Sequence, residues 1–337
     1  MSSPAFEVPR ELEARRPPEA RGLARDAVHL LVSDSGTQTH TLRTFVDLPS
    51  VLRAGDLLVV NDSATIPAAI DAQRRNGVSI VLHFSTRISA RLWIIEPRHT
   101  PLVEVGERFA LPADASITIL APVDSAHPRL WYALLDVPYE PFTYLKAYAR
   151  PIRYDYIEGA YPLEMYQTIF AREPGSVEMP SAARPFTLRV IDSLYRHGVN
   201  LASITLHCGV ASPEMHEPPL DERFTVPEST AKAIAQTKGS AGRVIAVGTT
   251  VVRALESAAD YGGIVSPRQG WTSHIVDERH APVVADGLLT GFHEPRASHL
   301  LMLRAFGGSA LIGQAYEIAL RHGLLWHEFG DVHLITR

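Results

Sequence analysis

Residues 244–256, Val-Ile-Ala-Val-Gly-Thr-Thr-Val-Val-Arg-Ala-Leu-Glu, carry the sharpest chemical signal in the chain. An apolar run meets Gly248-Thr249-Thr250, and a helical spacing begins. Gly248 permits a tight turn, either threonine can cap the helix, and the free N–H groups of a first turn favour a carboxylate or phosphate. Arg253 and Glu256 follow three apart, near one face. The same spacing describes an ordinary capped helix with a surface ion pair, and spacing alone ranks that plainer reading first. Histidines number 15, yet none sits in a ligand motif such as H-E-x-x-H, so no metal is expected. His293, in Gly291-Phe-His-Glu-Pro295, stands in a turn before a helix. It is the histidine best placed to face a cleft, although a turn histidine is more often simply solvated.

Asn61-Asp62-Ser63 follows a strand end, where ligands of open α/β sheets bind; an Asx turn explains it equally well. Asp331, after Gly330, has the same ambiguity. Arg21 and Arg25, like Arg150 and Arg153, can meet phosphates, with Tyr148 and Tyr154 available for stacking. A solvated arginine face is the plainer account of all four. The chain contains no G-x-G-x-x-G, no P-loop and no G-x-S-x-G elbow.

Composition narrows the classes. The 337 residues suit one large domain or two ordinary ones, and 46% apolar with 20% charged residues is core-forming. A net charge of −5 argues against coating nucleic acid by bulk charge, but not against local contact with one RNA. Three lysines face 29 arginines, so the cations are mostly planar forks suited to phosphate or carboxylate. The single cysteine, Cys208, excludes an intrachain disulfide, a cysteine-rich zinc site and a cysteine-held iron–sulfur cluster. No leader or membrane-spanning run is visible, and a cytoplasmic protein is expected.

The elements that must position these residues change texture along the chain. Strands are expected over 28–32 and 56–60, with a short helix over 44–52 interrupted by Pro49. Residues 69–136 then hold a succession of short β-rich runs punctuated by Pro, Gly and Asp, which reads as a small antiparallel barrel or sandwich. Beyond Pro141, helices are expected over 162–170, 186–197, 227–238, 249–259, 297–306 and 309–322, alternating with strands over 201–207, 243–247 and 331–335. The expected fold class is α/β: a layered domain built from 1–68 together with 137–337, with the β-rich stretch 69–136 as an insertion.

Taken together, these segments resemble the S-adenosylmethionine:tRNA ribosyltransferase-isomerases of queuosine biosynthesis. The resemblance runs over nearly the whole chain: Asp56-Leu-Leu-Val-Val-Asn61-Asp62 with Ile66-Pro67-Ala68, Tyr166-Gln-Thr-Ile-Phe-Ala171, Glu173-Pro-Gly-Ser-Val177, Ile204-Thr-Leu-His207, Gly242-Arg-Val-Ile-Ala-Val-Gly-Thr-Thr250, Asp286-Gly-Leu-Leu-Thr290 and Gly330-Asp331. It implies a layered α/β/α domain with an inserted small antiparallel β-barrel at 69–136, S-adenosylmethionine as co-substrate and a tRNA anticodon region carrying a 7-aminomethyl-7-deazaguanine base as partner. The implied reaction passes the ribosyl group to that aminomethyl group and isomerises it to the epoxide of epoxyqueuosine, releasing adenine and methionine. Thr249, Thr250 and Arg253 are then expected at the methionine carboxylate. Asn61, Asp62 and Asp331 are expected at polar groups of the nucleoside or the amine, and His293 and Glu222 at the proton transfers. A monomer is expected.

Several motif loops depart from the family pattern. Thr-Ala-Gly-Leu-His-Phe-Thr is here Ser181-Ala-Ala-Arg184-Pro185-Phe-Thr187. Gly-Thr-Phe is Ala211-Ser-Pro213, and Met-His-Ser-Glu is Pro219-Leu220-Asp-Glu222, although Met215-His216 lies close by. Thr-Asp-Ile-Phe is Thr272-Ser273-His-Ile275, and Ser-Tyr-Gly-Asp is Glu328-Phe-Gly-Asp331. The alternative expectation is therefore a paralogue that keeps S-adenosylmethionine but acts on another amine acceptor or has lost catalysis.

Overall fold

A computed structural model describes residues 7–98, 100, 103–126, 128–210, 220–294 and 299–337. In chain order the strands are β1 (His29–Asp34), β2 (Thr39–Thr44), β3 (Leu57–Asn61), β4 (Ser63–Thr65), β5 (Ala69–Gln73), β6 (Ser79–Arg87), β7 (Leu92–Arg98), β8 (Arg108–Ala110), β9 (Ser116–Pro122), β10 (Trp131–Asp136), β11 (Glu173–Ser176), β12 (Asn200–Leu206), β13 (Glu222–Val226), β14 (Val244–Val247), β15 (Arg268–Thr272), β16 (Gly287–Gly291) and β17 (Val332–Thr336). The helices are α1 (Leu48–Val51), α2 (Pro141–Tyr148), α3 (Leu188–Arg196), α4 (Glu228–Gly239), α5 (Thr249–Ala258) and α6 (His299–Arg321).

Nine strands form one sheet in the order β15-β13-β12-β3-β14-β16-β17-β1-β2. At its centre β12, β3, β14 and β16 run parallel. The continuous apolar runs of β3 and β14 follow from burial on both faces. Leu57 and Val59 of β3, with Val244 and Ala246 of β14, pack under α4, α5 and α6. Leu58, Val60, Ile245 and Val247 point to the other side, against Leu48 of α1 and Val190 and Leu194 of α3. Each such side chain removed from water stabilises by about 1.5–3 kcal/mol. Asp56 ties the start of β3 to the start of β14 through a two-pronged pair with Arg243, at 3.1 and 2.6 Å. The architecture is the expected layered α/β/α domain.

Six further strands close a barrel in the order β10-β7-β6-β5-β8-β9. Alternation fills it: Trp131, Ala133 and Leu135 of β10 point inward, joining Phe84, Trp93, Phe109 and Ile117. Phe84 meets Trp93 edge-on with centroids 5.2 Å apart. At the neck of the barrel β4 and β11 pair as a two-stranded parallel ribbon. Gln167 extends that ribbon with its side chain, accepting from Thr65 N at 3.0 Å and donating to Thr65 O at 2.7 Å.

That side-chain pairing explains why the helix expected over 162–170 reduces to a 3-10 turn, Leu163–Tyr166. Gln167 has left the helical path to face Thr65. The expected helix over 44–52 divides into a 3-10 turn, Phe45–Asp47, and the single turn of α1. The two helices expected after 296 are both present within α6, parted at Gly308, whose φ +75° and ψ 157° are not helical; residues 297 and 298 lie outside the described residues. Among the described residues no helix is long and apolar enough to cross a membrane.

Candidate active site

A cavity of about 550 Å³ opens beyond the carboxyl ends of the central parallel strands and is walled on one side by the barrel. This is where open α/β sheets expose loop ends and helix N-termini together. Gly248, Thr249 and Thr250, the turn from β14 into α5, line it. Gly248 holds φ +100° and ψ 149°, a conformation left to glycine. Its N–H is taken by Leu289 O and its carbonyl by Val251 N, at 2.8 and 3.1 Å. Among the described residues, the N–H groups of Thr249 and Thr250 have no backbone acceptor. They supply the positive end of the α5 dipole to the cavity.

Arg253 also reaches the cavity, but it is buried and committed. Its guanidinium pairs with Glu222 and donates to His274 O at 3.1 Å, Leu220 O at 3.0 Å and Thr272 O at 3.0 Å. It is therefore a brace between α5, β13 and β15 whose charge Glu222 balances, and the expectation that it takes a substrate carboxylate is revised accordingly. Glu222 accepts the Gly209 N–H at 3.1 Å. Burial raises its carboxyl pKa, while Arg253 and the Gly209 N–H pull the other way.

Histidines meet on the opposite loops. His293 and His299 stack with centroids 4.3 Å apart and planes at 7°. His293 Nε2 shares a 2.8 Å hydrogen bond with Thr290 Oγ1, and Trp326 Nε1 donates to the His293 carbonyl. Burial, then the neighbouring histidines, hold the His293 pKa well below the usual imidazole range, and burial brings His299 down to about 4. Both are neutral at pH 7 and can accept a proton. His299 Nδ1 is buried with no hydrogen-bond partner. His327, lowered to about 4 by burial, stacks on Tyr156 at 4.1 Å.

Carboxylates and phenols complete the wall. Tyr154 donates to Glu178 and Tyr156 to Glu328. Burial raises the pKa of Glu328, against the pull of the Tyr156 hydrogen bond. From the barrel, Glu96 takes Arg129 at 2.8 Å and Arg98 at 3.3 Å. Burial works to raise its carboxyl, yet His83 and Arg129 hold it at about 2.

The remaining expected residues lie elsewhere. Asn61 is fully buried and pairs with Leu206 through both its amide groups, at 2.8 and 3.0 Å, locking β3 to β12. It also donates to Thr250 Oγ1 at 3.4 Å, at the edge of the α5 turn. Asp62 accepts from Ser203 at 3.0 Å and Thr205 at 2.6 Å, which leaves it a strand clamp. Glu256 accepts three consecutive N–H groups, Val283, Val284 and Ala285, and so anchors the loop before β16. Asp331 is buried and staples the N–H groups of His29 and Leu325, each at 2.7 Å, away from the cavity. Arg150 pairs with Asp71 on the surface, and Arg153 donates to Gly159 O. Arg21 and Arg25 likewise serve carbonyls and Glu19. Sequence reasoning did not single out Glu178, Glu328, His299 or the Glu96–Arg98–Arg129 cluster. Nothing local marks them, because each gains meaning only from a partner distant in the chain.

Two departures from the family pattern find partners here. Arg184 is buried, pairs with Glu19 at 2.9 Å, donates to Met165 O at 3.0 Å and lies over the Phe329 ring at 4.8 Å. Pro185 ends the short turn that Ser181–Ala183 begins. Leu220 and His274 present their carbonyls to Arg253, with Ser273 between Thr272 and His274. Residues 211–213, Met215, His216, Pro219 and 295–297 lie outside the described residues.

The residue pattern of the family described as "Queuosine biosynthesis protein" matches residues 1–335. This chain belongs to the queuosine biosynthesis protein family. Its relatives include an S-adenosylmethionine:tRNA ribosyltransferase-isomerase of Thermotoga maritima, 32% identical over 345 residues and covering 98% of each chain. Another, from Thiobacillus denitrificans, is 34% identical over 349 residues, covering 98% of this chain and 96% of that one. A crystal structure of an S-adenosylmethionine tRNA ribosyltransferase from Thermotoga maritima is similar with TM-score 0.56 and 27% identity, covering 99% of this chain and 100% of the other. Membership of the queuosine biosynthesis protein family thus extends over both the barrel and the layered domain, and the cavity lies where the two meet.

Proposed function

We propose that this chain transfers the ribosyl group of S-adenosylmethionine to the aminomethyl group of 7-aminomethyl-7-deazaguanine in a tRNA anticodon. The group is isomerised on transfer, giving epoxyqueuosine and releasing adenine and methionine. The observation that carries this reading is one cavity that joins the free first-turn N–H groups of α5 to a buried histidine pair, in a chain that matches this family over residues 1–335.

Each part matches a demand of the chemistry. The methionine carboxylate needs fixed positive charge, which the Thr249 and Thr250 N–H groups supply while Arg253 holds the turn from behind. A sulfonium acidifies the ribose carbon beside it, so a neutral base must stand ready; His293, oriented by Thr290, and the stacked His299 are such bases. The raised carboxyl of Glu328 can hold a proton for the departing adenine, and Tyr156 fixes its orientation. Glu222 positions Arg253 and the Gly209 amide. The cation that approaches is met by Glu178 rather than by bulk charge.

The test is direct. The full chain is incubated with S-adenosylmethionine and tRNA carrying the aminomethyl-deazaguanine base, and adenine release is followed. Stoichiometric adenine with modified tRNA is the expected result. Binding of S-adenosylmethionine by calorimetry without tRNA-dependent adenine release sinks the reading and leaves the altered-acceptor paralogue.

A further inference from the structure

A second hollow, of about 360 Å³, lies on the other side of the Cys208–Val210 segment, between the barrel and the edge of the nine-stranded sheet. Ser85, Thr86 and Arg87 line it from the barrel, and His207, Arg223 and Trp271 from the sheet. Ser85 Oγ accepts the Val210 N–H at 3.1 Å, so the groove and the cavity share a wall. The geometry points to a nucleotide subsite here: the groove takes a phosphate-bearing nucleotide of the RNA strand next to the one whose base enters the cavity. This rests on the tRNA reaction proposed above.

Four observations carry it. First, Arg223 and Trp271 are register partners across β13 and β15, so both side chains stand on one face of the sheet. Trp271 is 44% exposed, a large indole left in water at the edge of a groove. Second, the Arg223 side chain is exposed and, among the described residues, has no hydrogen-bond or ion-pair partner. Arg87, by contrast, is already shared between Glu140 at 3.5 Å and the Phe142 ring at 4.5 Å.

Third, His207 is set as a fixed donor. Cys208 N donates to Ser176 Oγ at 2.9 Å, and Ser176 Oγ donates to Ser63 Oγ at 2.7 Å. With the Ser63 proton assigned to the shorter of its two contacts, His207 Nδ1 at 2.8 Å against Glu173 O at 3.4 Å, the imidazole accepts at Nδ1. An imidazole that accepts at Nδ1 carries its proton at Nε2, which leaves an N–H for an acceptor in the groove. Fourth, the ring is seated on backbone that only glycine allows. A Cβ on Gly175 would stand 2.5 Å from His207 Nδ1.

A guanidinium, an imidazole and the hydroxyls of Ser85 and Thr86 bring donors to one groove, and a phosphate supplies the acceptors. The indole beside them offers a stacking face to an unpaired base. Anticodon loops present such unstacked nucleotides on either side of the wobble position, whereas a free mononucleotide has no reason to sit one wall away from the reacting base.

Fluorescence anisotropy of the full chain with an unmodified tRNA transcript, repeated at several salt concentrations, tests the groove. Arg223→Ala is expected to weaken binding and to lower the slope of log K against log salt by about 0.7, the loss of one single-strand phosphate contact. Trp271→Ala is expected to weaken binding about 5- to 150-fold, and Trp271→Phe to restore most of it. S-adenosylmethionine binding by calorimetry stays at the wild-type value in all three. Wild-type affinity and slope in Arg223→Ala and Trp271→Ala overturn the subsite, as does a wild-type chain that binds no tRNA. Adenine release by the wild-type chain decides the reaction separately. Release with unchanged variant affinities leaves the reaction without the groove, and weakened variants without any release leave the groove without the reaction.

Discussion

The Arg253–Glu222 pair decides between two accounts of the α5 end of the cavity. If Arg253 is a brace, its removal acts on folding first. In Arg253→Met three carbonyls, His274, Leu220 and Thr272, lose their donor. At about 1 kcal/mol for each hydrogen bond, the loss is about 3 kcal/mol. The partner left behind, Glu222, adds less than a fixed charge would, because burial already raises its carboxyl pKa and favours its neutral form. Glu222→Gln leaves the buried guanidinium without a counter-charge, and breaking a buried pair from one side costs about 3–5 kcal/mol. The two effects share one pair of atoms, so the double variant is expected to lose at least about 1 kcal/mol less than the sum. Guanidinium-chloride unfolding midpoints measure all three, with calorimetry of S-adenosylmethionine alongside. The brace account expects the double variant to bind S-adenosylmethionine within a few-fold of wild type, because the Thr249 and Thr250 N–H groups remain. A single variant Arg253→Met that unfolds at the wild-type midpoint yet loses S-adenosylmethionine refutes the reasoning and returns the guanidinium to the substrate carboxylate.

Three further predictions follow from the same geometry. Gly248→Ala places a side chain at φ +100°, which costs about 1–3 kcal/mol and tilts the turn that aims the Thr249 and Thr250 amides, so S-adenosylmethionine binding falls with stability. His293→Asn is expected to reduce adenine release about 10²- to 10⁴-fold in single turnover while both substrates still bind, and unchanged release removes His293 from the proton transfer. His333, buried against Ser33 and Phe292, is held at about 3, chiefly by burial and then by His40. Because its folded value lies below the unfolded one, its contribution is complete above about pH 6.5 and is lost as pH falls, by about 2 kcal/mol between pH 7 and 5. The raised carboxyls of Glu222, Glu294 and Glu328 work in the opposite sense, so the histidine part is read as a difference: His333→Gln is expected to lose about 2 kcal/mol less than wild type over that range. Equal pH slopes would show that His333 is not the group titrating.

Much of the frame was legible from residue order alone. The apolar runs 57–60 and 244–247 mark strands buried on both faces, and the change of texture at 69–136 marks a separate antiparallel β unit, because period and punctuation are local properties; that it closes as a barrel and not a sandwich was settled by the strand pairing. The Gly-Thr-Thr turn was legible for the same reason: a glycine between a strand and a helix specifies its own conformation. Strands β13, β15 and β16 were not, since Arg223, Trp271 and Gly287 carry no alternation that survives at a sheet edge or a glycine start.

The site divided along the same line. Residue type proposed Arg253, Asn61, Asp62, Glu256 and Asp331 as ligands, but type cannot say whether a charge is spent. Tertiary structure spends them on Glu222, on the Leu206 peptide, on Ser203 and Thr205, and on backbone amides. It also assembles what no segment announces: His293 against His299, Tyr156 against Glu328, and Arg98 and Arg129 of the barrel against Glu96. By itself the sequence determined which backbone turns and apolar layers exist, because those depend on neighbours a few residues away. Only the tertiary structure decided which polar groups remain free for chemistry, because that depends on partners far along the chain, 172 positions away for Tyr156 and Glu328 and 302 for Asp331 and His29.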